Sequence, residues 1–198
     1  MMNYVDIIEK SAITEMADSR VDPYYSSMKG MKEYAAQERK AADSDSVLTE
    51  ALDEEQLELY NDLKKRLDEW DTITVSYGYL QGVFFAKETV ERNIPIKEFN
   101  AVSISRNSRQ MATSEHEARL NKALKSLLSS LHNDKCKNME KLIKQYYWAK
   151  TYCTLVTKNY GIVAGFNDCY DFLCAMTMKN PRPRVKTAVE QVLKRSVK

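Results

Sequence analysis

The chain has 198 residues, 43% of them hydrophobic and 29% charged, with a net charge of +2. That is ordinary globular composition rather than disorder, and the length suffices to bury a core in one domain or two small ones. Only five Gly and four Pro occur; neither fits a helix interior well, so their scarcity predicts long helices.

From the N-terminus, residues 1–10 carry Asp6 and Glu9, which breaks the apolar run that a signal peptide requires. A short amphipathic segment over residues 4–16 sets Val5, Ile8, Ala12 and Ile13 on one side. Asp22-Pro23 reads as a helix start, with Pro at the first helical position. That helix is expected to run to about Ala42 and to stop in a polar loop, Asp43-Ser44-Asp45-Ser46. Leu52-Asp53-Glu54-Glu55-Gln56-Leu57 carries a capping box: Asp53 caps, Gln56 reaches back, and Leu52 with Leu57 forms a hydrophobic staple. Leu59, Leu63, Trp70, Ile73, Tyr77, Leu80 and Phe84 then follow helical spacing to about Asn93, before Pro95. The β-branched run Asp71-Thr72-Ile73-Thr74-Val75-Ser76 predicts a kink or a short break.

Residues 99–113 lack clear periodicity and read as a loop or an ill-ordered helix. Ser114-Glu115-His116-Glu117 is a second capping box, followed by the stripe Leu120, Leu124, Leu127, Leu128 and Leu131. After Asp134 a further helix carries Met139, Leu142, Ile143, Tyr146, Cys153, Val156 and Tyr160, with a break expected near Lys158. It continues through Val163, Phe166, Phe172 and Leu173, and Pro181-Arg182-Pro183 ends the body. The longest weakly polar stretches, 72–86 and 151–166, fall short of a membrane span, so a cytoplasmic location is expected.

Four of the five glycines occur in two matching segments, Tyr77-Gly78 … Gly82 and Tyr160-Gly161 … Gly165, 83 residues apart. Upstream, Leu52, Tyr60, Leu63 and Leu67 match Leu131, Met139, Leu142 and Tyr146 at an offset of 79. The change from 79 to 83 is four residues, about one helical turn, which leaves a buried face buried. The expected fold is therefore all-α: two diverged copies of a long-helix hairpin packed together. Residues 1–95 would form an acidic repeat, 96–180 a basic repeat, and 181–198 a basic amphipathic tail. Residues 1–96 hold 11 Lys/Arg and 20 Asp/Glu, a net of −9, and residues 97–198 hold 19 and 8, a net of +11.

Glycines four apart share a helix face and admit a second backbone. Gly78, Gly82, Gly161 and Gly165 are thus read as helix-packing positions, against a neighbour or against each other across a pseudo-two-fold axis. The alternative is a ligand or nucleic-acid backbone on the glycine face. His116 and His132 sit near helix starts without a paired nucleophile, and the cluster Asp53, Glu54, Glu55, Glu58 and Asp62 suits a helix dipole better than a metal. Cys136, Cys153, Cys169 and Cys174 share no metal-ligand spacing and read as reduced core residues. Neither a catalytic residue nor a cofactor or metal is expected. The basic residues point to nucleic acid or an acidic protein face: Lys137, Lys141, Lys144, Lys150, Arg182, Arg184, Lys194 and Arg195, interleaved with Tyr146, Tyr147, Trp148 and Tyr152. Trp70, Tyr77 and Phe84, if exposed, would support a homodimer.

The stretch from Asp22-Pro23 through Leu52-Asp53-Glu54-Glu55-Gln56 to Tyr77-Gly78-Tyr79-Leu80-Gln81-Gly82 resembles a family of small helical proteins of clostridial and gut Firmicutes genomes, often in prophages and mobile elements. Tyr79 and Leu80 depart from that family's Phe-Arg. The resemblance implies a non-enzymatic binding protein with a protein partner and no membrane, in the manner of anti-CRISPR inhibitors of a Cas9-type nuclease or its guide RNA complex. The alternative expectation is a nucleic-acid-binding regulator that uses the basic half.

Overall fold

A computed structural model of the chain describes residues 13–91, 114–131 and 137–176. Among them every regular element is helical: α1 Ile13–Val21, a 3-10 turn Asp22–Tyr24, α2 Tyr25–Lys29, α3 Lys32–Ala51, α4 Glu54–Glu91, α5 Ser114–Ser130 and α6 Lys137–Met176. The fold is all-α. The described residues form two compact units. One comprises 13–25, 73–91 and 157–176, and the other 26–72, 114–131 and 137–156. Each unit draws on both sequence copies, and the divisions fall inside α4 and α6.

Three local expectations are corrected. Asp43-Ser44-Asp45-Ser46 is not a loop but lies inside α3. Ser44 is fully buried and its Oγ accepts from Gln145 Nε2 at 3.2 Å, while the Asp45 carboxylate accepts from Tyr60 Oη at 2.9 Å and Lys64 Nζ at 2.8 Å. These bonds offset the weak helix preference of Ser and Asp. The helix begun at Asp22-Pro23 is short, with a turn at Gly30 before α3. Neither α4 nor α6 breaks at its β-branched or Lys158 region. Residues 73–82 are all buried, and tertiary burial outweighs a propensity penalty of roughly half a kcal/mol per residue.

In the unit containing residues 26–72, 114–131 and 137–156, four helices share one core that includes Leu48, Tyr60, Leu63, Leu127 and Ile143. The capping box forms as expected: Gln56 N donates to Asp53 Oδ1 at 2.9 Å, and Asp53 N to Gln56 Oε1 at 3.4 Å. The Leu stripe of α5 packs on the same core.

This unit also revises the repeat. Ala41, Ser44 and Leu48 of α3 are buried, as are Leu120, Ala123 and Leu127 of α5, at the offset of 79. In α4 and α6 the offset is 83, since they begin at Glu54 and Lys137 and bury Tyr60 with Ile143 and Leu63 with Tyr146. The pairings of Tyr60, Leu63 and Leu67 at 79 were one turn out, an error the sequence hides because a four-residue slip preserves the buried face. One residue, Asp53, separates Leu52 from Glu54, and five, 132–136, separate Leu131 from Lys137. The difference of four places the insertion between the two helices of the second hairpin.

The paired portions of α4 and α6 run parallel here. Tyr60 meets Tyr146 edge-on at 5.4 Å, Lys150 Nζ approaches Asp68 Oδ1 at 3.8 Å, and Thr154 Oγ1 donates to Asp71 Oδ1 at 2.5 Å. Asp71 and Thr154 are 83 apart, so equivalent residues of the two copies stand at the same height.

In the unit containing 13–25, 73–91 and 157–176, the two glycine segments pack against each other, backbone to backbone. A methyl group on Gly78 would meet Lys158 O at 2.5 Å, and one on Gly161 would meet Val75 O at 2.8 Å. Gly82 faces the Ile162 carbonyl, and Gly165 faces that of Tyr79. Lys158 and Ile162 are the equivalents of Val75 and Tyr79 at 83, so each contact occurs twice, as a two-fold relation demands. Helix α1 is held by Ala17 in the core and by Arg20 Nε on Asp168 Oδ2 at 3.2 Å, where Tyr79 Oη also donates at 3.0 Å.

Candidate interaction surface

The four glycines occupy the interior of their unit, where a neighbouring backbone already fills the glycine face. Thr74 Oγ1, Ser76 Oγ and both polar atoms of the Gln81 amide are buried nearby without a hydrogen-bond partner. Trp70 and Tyr77 are buried, which removes two of the three residues offered for a homodimer; Phe84 is half exposed.

The basic positions separate. Lys150 turns toward Asp68 and is partly covered. Arg182, Arg184, Lys194 and Arg195, with the expected tail, lie outside the described residues, as do His132 and Cys136. Lys137, Lys141 and Lys144 are exposed on α6, and Lys144 pairs with Glu140 one turn back. Their spacing continues along the same face through Trp148, Tyr152 and Leu155. Trp148, at 65% exposure, is the most exposed large hydrophobic residue among the described ones, and Leu155 is exposed at 38%. Tyr147 braces the indole edge-on, with ring centroids 5.4 Å apart. One helix face thus carries a basic end and an apolar end, over 19 residues, a rise of roughly 27 Å.

The aromatic cluster read from the sequence divides along the same geometry. Tyr146 is buried against Tyr60, Tyr147 and Tyr152 are half-buried, and Trp148 alone of the four is exposed. Counting threes and fours from Lys137 would have separated them; composition does not.

The opposite charge choice appears at the equivalent face of α4. At positions 83 lower stand Glu54, Glu58, Asn61, Lys65, Glu69 and Thr72, the first four exposed. Glu54 suits the positive end of its helix, whereas Lys137 occupies the same first turn of α6, where a cation is disfavoured by about 0.3–1 kcal/mol. Lys137 thus stands exposed against the preference of its helix end.

Other chemistry is muted. Burial pushes the Cys153 thiol up to about 11 and raises that of Cys169, so both are held as thiols and not as nucleophilic thiolates. Burial also raises the Asp71 carboxyl, against the opposing hydrogen bond from Thr154. Burial and the bond to Asp168 push the Tyr79 phenol up to about 12. His116 is buried at the start of α5. Glu54, Glu55 and Glu58 stand exposed, and Asp62 pairs with Arg66 at 3.3 Å. Among the described residues no three His, Cys, Asp or Glu side chains are grouped to hold a metal, and no helix is long and apolar enough to cross a membrane.

No family model, curated protein or solved structure matches the chain.

Proposed function

We propose that this chain is a non-enzymatic binding protein that acts by occupying a partner through the exposed face of α6. The observation that carries the reading is Trp148, set in line with Lys137, Lys141 and Lys144 and leading to Tyr152 and Leu155. An exposed Trp braced by a second ring, with lysines to one side, has the composition of a binding hot spot with a charged rim. The lysines and the apolar residues are segregated along the helix rather than interleaved. This favours a protein partner that offers an apolar pocket beside an acidic patch. The resemblance of the first copy to mobile-element proteins makes a Cas9-type nuclease, or its guide RNA complex, the target to try first.

A second reading, nucleic acid, draws on the three lysines at one-turn spacing, which suit a phosphate backbone, with Trp148 as a stacking platform. The test is affinity of the full chain for a Cas9–guide complex and, separately, for single- and double-stranded oligonucleotides, with Trp148→Ala and Lys141→Glu/Lys144→Glu variants. Binding to the complex that survives nuclease and falls at least tenfold in Trp148→Ala, on the order of a hot-spot truncation, supports the protein reading. Steeply salt-dependent binding to bare oligonucleotide moves the assignment to nucleic acid. Binding that neither variant alters removes α6 as the surface.

A further inference from the structure

We infer that, when no target holds it, the α6 face is occupied by the α4 face of a second copy of this chain, head to tail. The inference rests on reading the α6 face as a contact surface, and it adds the regulation of that surface: a second copy and the target compete for it.

The argument begins with the duplication. In the unit containing both faces, Asp71 and Thr154 are equivalent positions joined by a hydrogen bond, and α4 and α6 run parallel. Equivalent residues therefore stand at equal heights on two faces that turn away from each other. A second copy moved sideways, without rotation or slip, brings its α4 face against the α6 face of the first with equivalent positions opposed.

Two of the six opposed pairs are of opposite charge, and two more set a cation over a ring and a phenol beside a carboxylate. Lys137 meets Glu54, Lys141 meets Glu58, and Lys144 meets Asn61. Trp148 meets Lys65, a cation over the indole. Tyr152 meets Glu69, a phenol facing a carboxylate acceptor, and Leu155 meets Thr72. A parallel α6-on-α6 contact would bring three lysines against three lysines, and like charges directly opposed are repulsive, while an antiparallel one would set the lysines against Trp148, Tyr152 and Leu155 with no carboxylate to meet them. Only the α4 face offers the lysines opposite charge, at Glu54 and Glu58. Because a heterologous contact leaves one α4 face and one α6 face open, it repeats into linear assemblies instead of closing as a dimer.

Sedimentation velocity of the full chain tests this, with helicity monitored by circular dichroism. In about 50 mM salt the mean mass is expected to rise between about 10 µM and about 1 mM protein, and about 500 mM salt should weaken association by roughly tenfold, because exposed pairs are screened. Lys141→Glu/Lys144→Glu and Glu58→Lys/Asn61→Lys should each remain monomeric. Mixing the two variants, or combining all four substitutions in one chain, restores opposed charges and should restore assembly; a merely misfolded variant would not be rescued. A wild-type chain that stays monomeric throughout overturns the inference, as does a Glu58→Lys/Asn61→Lys variant that assembles like wild type, or a closed dimer insensitive to salt. A failure to assemble leaves the target reading standing, because that reading is decided by the loss or retention of affinity in Trp148→Ala in the separate measurement.

Discussion

Substituting alanine at each glycine should separate close backbone packing from simple helix propensity. At Gly82 the new methyl would lie 2.6 Å from Phe166 N and 2.8 Å from Ile162 C, and closer still to the Ile162 carbonyl oxygen. Reaching even a tight 3.4 Å from the nitrogen requires a retreat of at least 0.8 Å, and backbone has no rotamer through which to yield. Overpacking of this kind costs roughly 1–3 kcal/mol, here toward the upper end, and Ala returns about 1 kcal/mol of helix propensity. The net is about 2 kcal/mol, or a Tm lower by roughly 4–8 °C in a chain of this size. Gly165→Ala meets the Tyr79 carbonyl in the equivalent way and should match it. Gly78→Ala should be milder, and Gly161→Ala, whose nearest contact is 2.8 Å from Val75 O, milder still. Gly30→Ala meets nothing closer than 3.4 Å and should be neutral or slightly stabilising. Thermal and urea denaturation followed by circular dichroism measures the series. If Gly82→Ala proves as stable as Gly30→Ala, the helices do not cross as described and the reciprocal packing argument fails.

Ser76→Ala removes a fully buried hydroxyl that lacks a partner and improves helix propensity, so urea unfolding should show about 1 kcal/mol of added stability. Asp71→Asn should stabilise the chain at neutral pH, because burial raises the Asp71 carboxyl and makes its ionised form unfavourable. That penalty is fully present above the raised folded value and vanishes below the ordinary 3.8, so wild type and variant should converge as acid unfolding curves pass below it. Tyr60→Phe should lose roughly 1–2 kcal/mol with the hydrogen bond to Asp45. For Asp45, burial acts upward but the bonds from Lys64 and Tyr60 outweigh it, so its contribution holds above 3.8 and fades as pH falls through the lowered folded value. In Tyr60→Phe the folded value lies closer to 3.8, so the fading should be smaller and complete at higher pH. Trp148→Ala should leave Tm within about 2 °C of wild type, since an exposed side chain contributes little to the core, while target affinity falls.

Much of the fold was legible because its signals were local and redundant. The Asp53–Gln56 capping box, the Leu120 to Leu131 stripe and the matched glycine pairs each combine residue type with spacing, and all three place their helices correctly. The failures have a common cause. Asp43 to Ser46 reads as a loop when only propensity is weighed, and becomes helical through partners as far away as Tyr60, Lys64 and Gln145. The run from Asp71 to Ser76 reads as a kink or break for the same reason, and stays helical with Ile73 to Ser76 buried. Long-range contacts do not show in a window of ten residues. The candidate surface was half legible: the lysines were visible as a charge excess, but only the phase of α6 sets Trp148 apart from the buried Tyr146 two residues before it.

The two hairpins provide their own internal comparison. At buried positions the copies agree in kind: Leu48 with Leu127, Tyr60 with Ile143, Tyr77 with Tyr160, Gly78 with Gly161. Packing fixes those choices in both copies, because both contribute to the same helix pairs. Packing does not reach the exposed positions, and a surface needed only for solubility would let either copy take either charge in scattered fashion. Instead Glu54 and Glu58 face outward on one copy and Lys137 and Lys141 on the other, and Lys65 on one corresponds to Trp148 on the other. The lysine at the first turn of α6 even opposes the dipole of its own helix. Two charge reversals at one end of the face, with an exposed Trp148 further along it, are what the proposed reading expects of two surfaces that meet different charges, the one on α6 being covered by a partner.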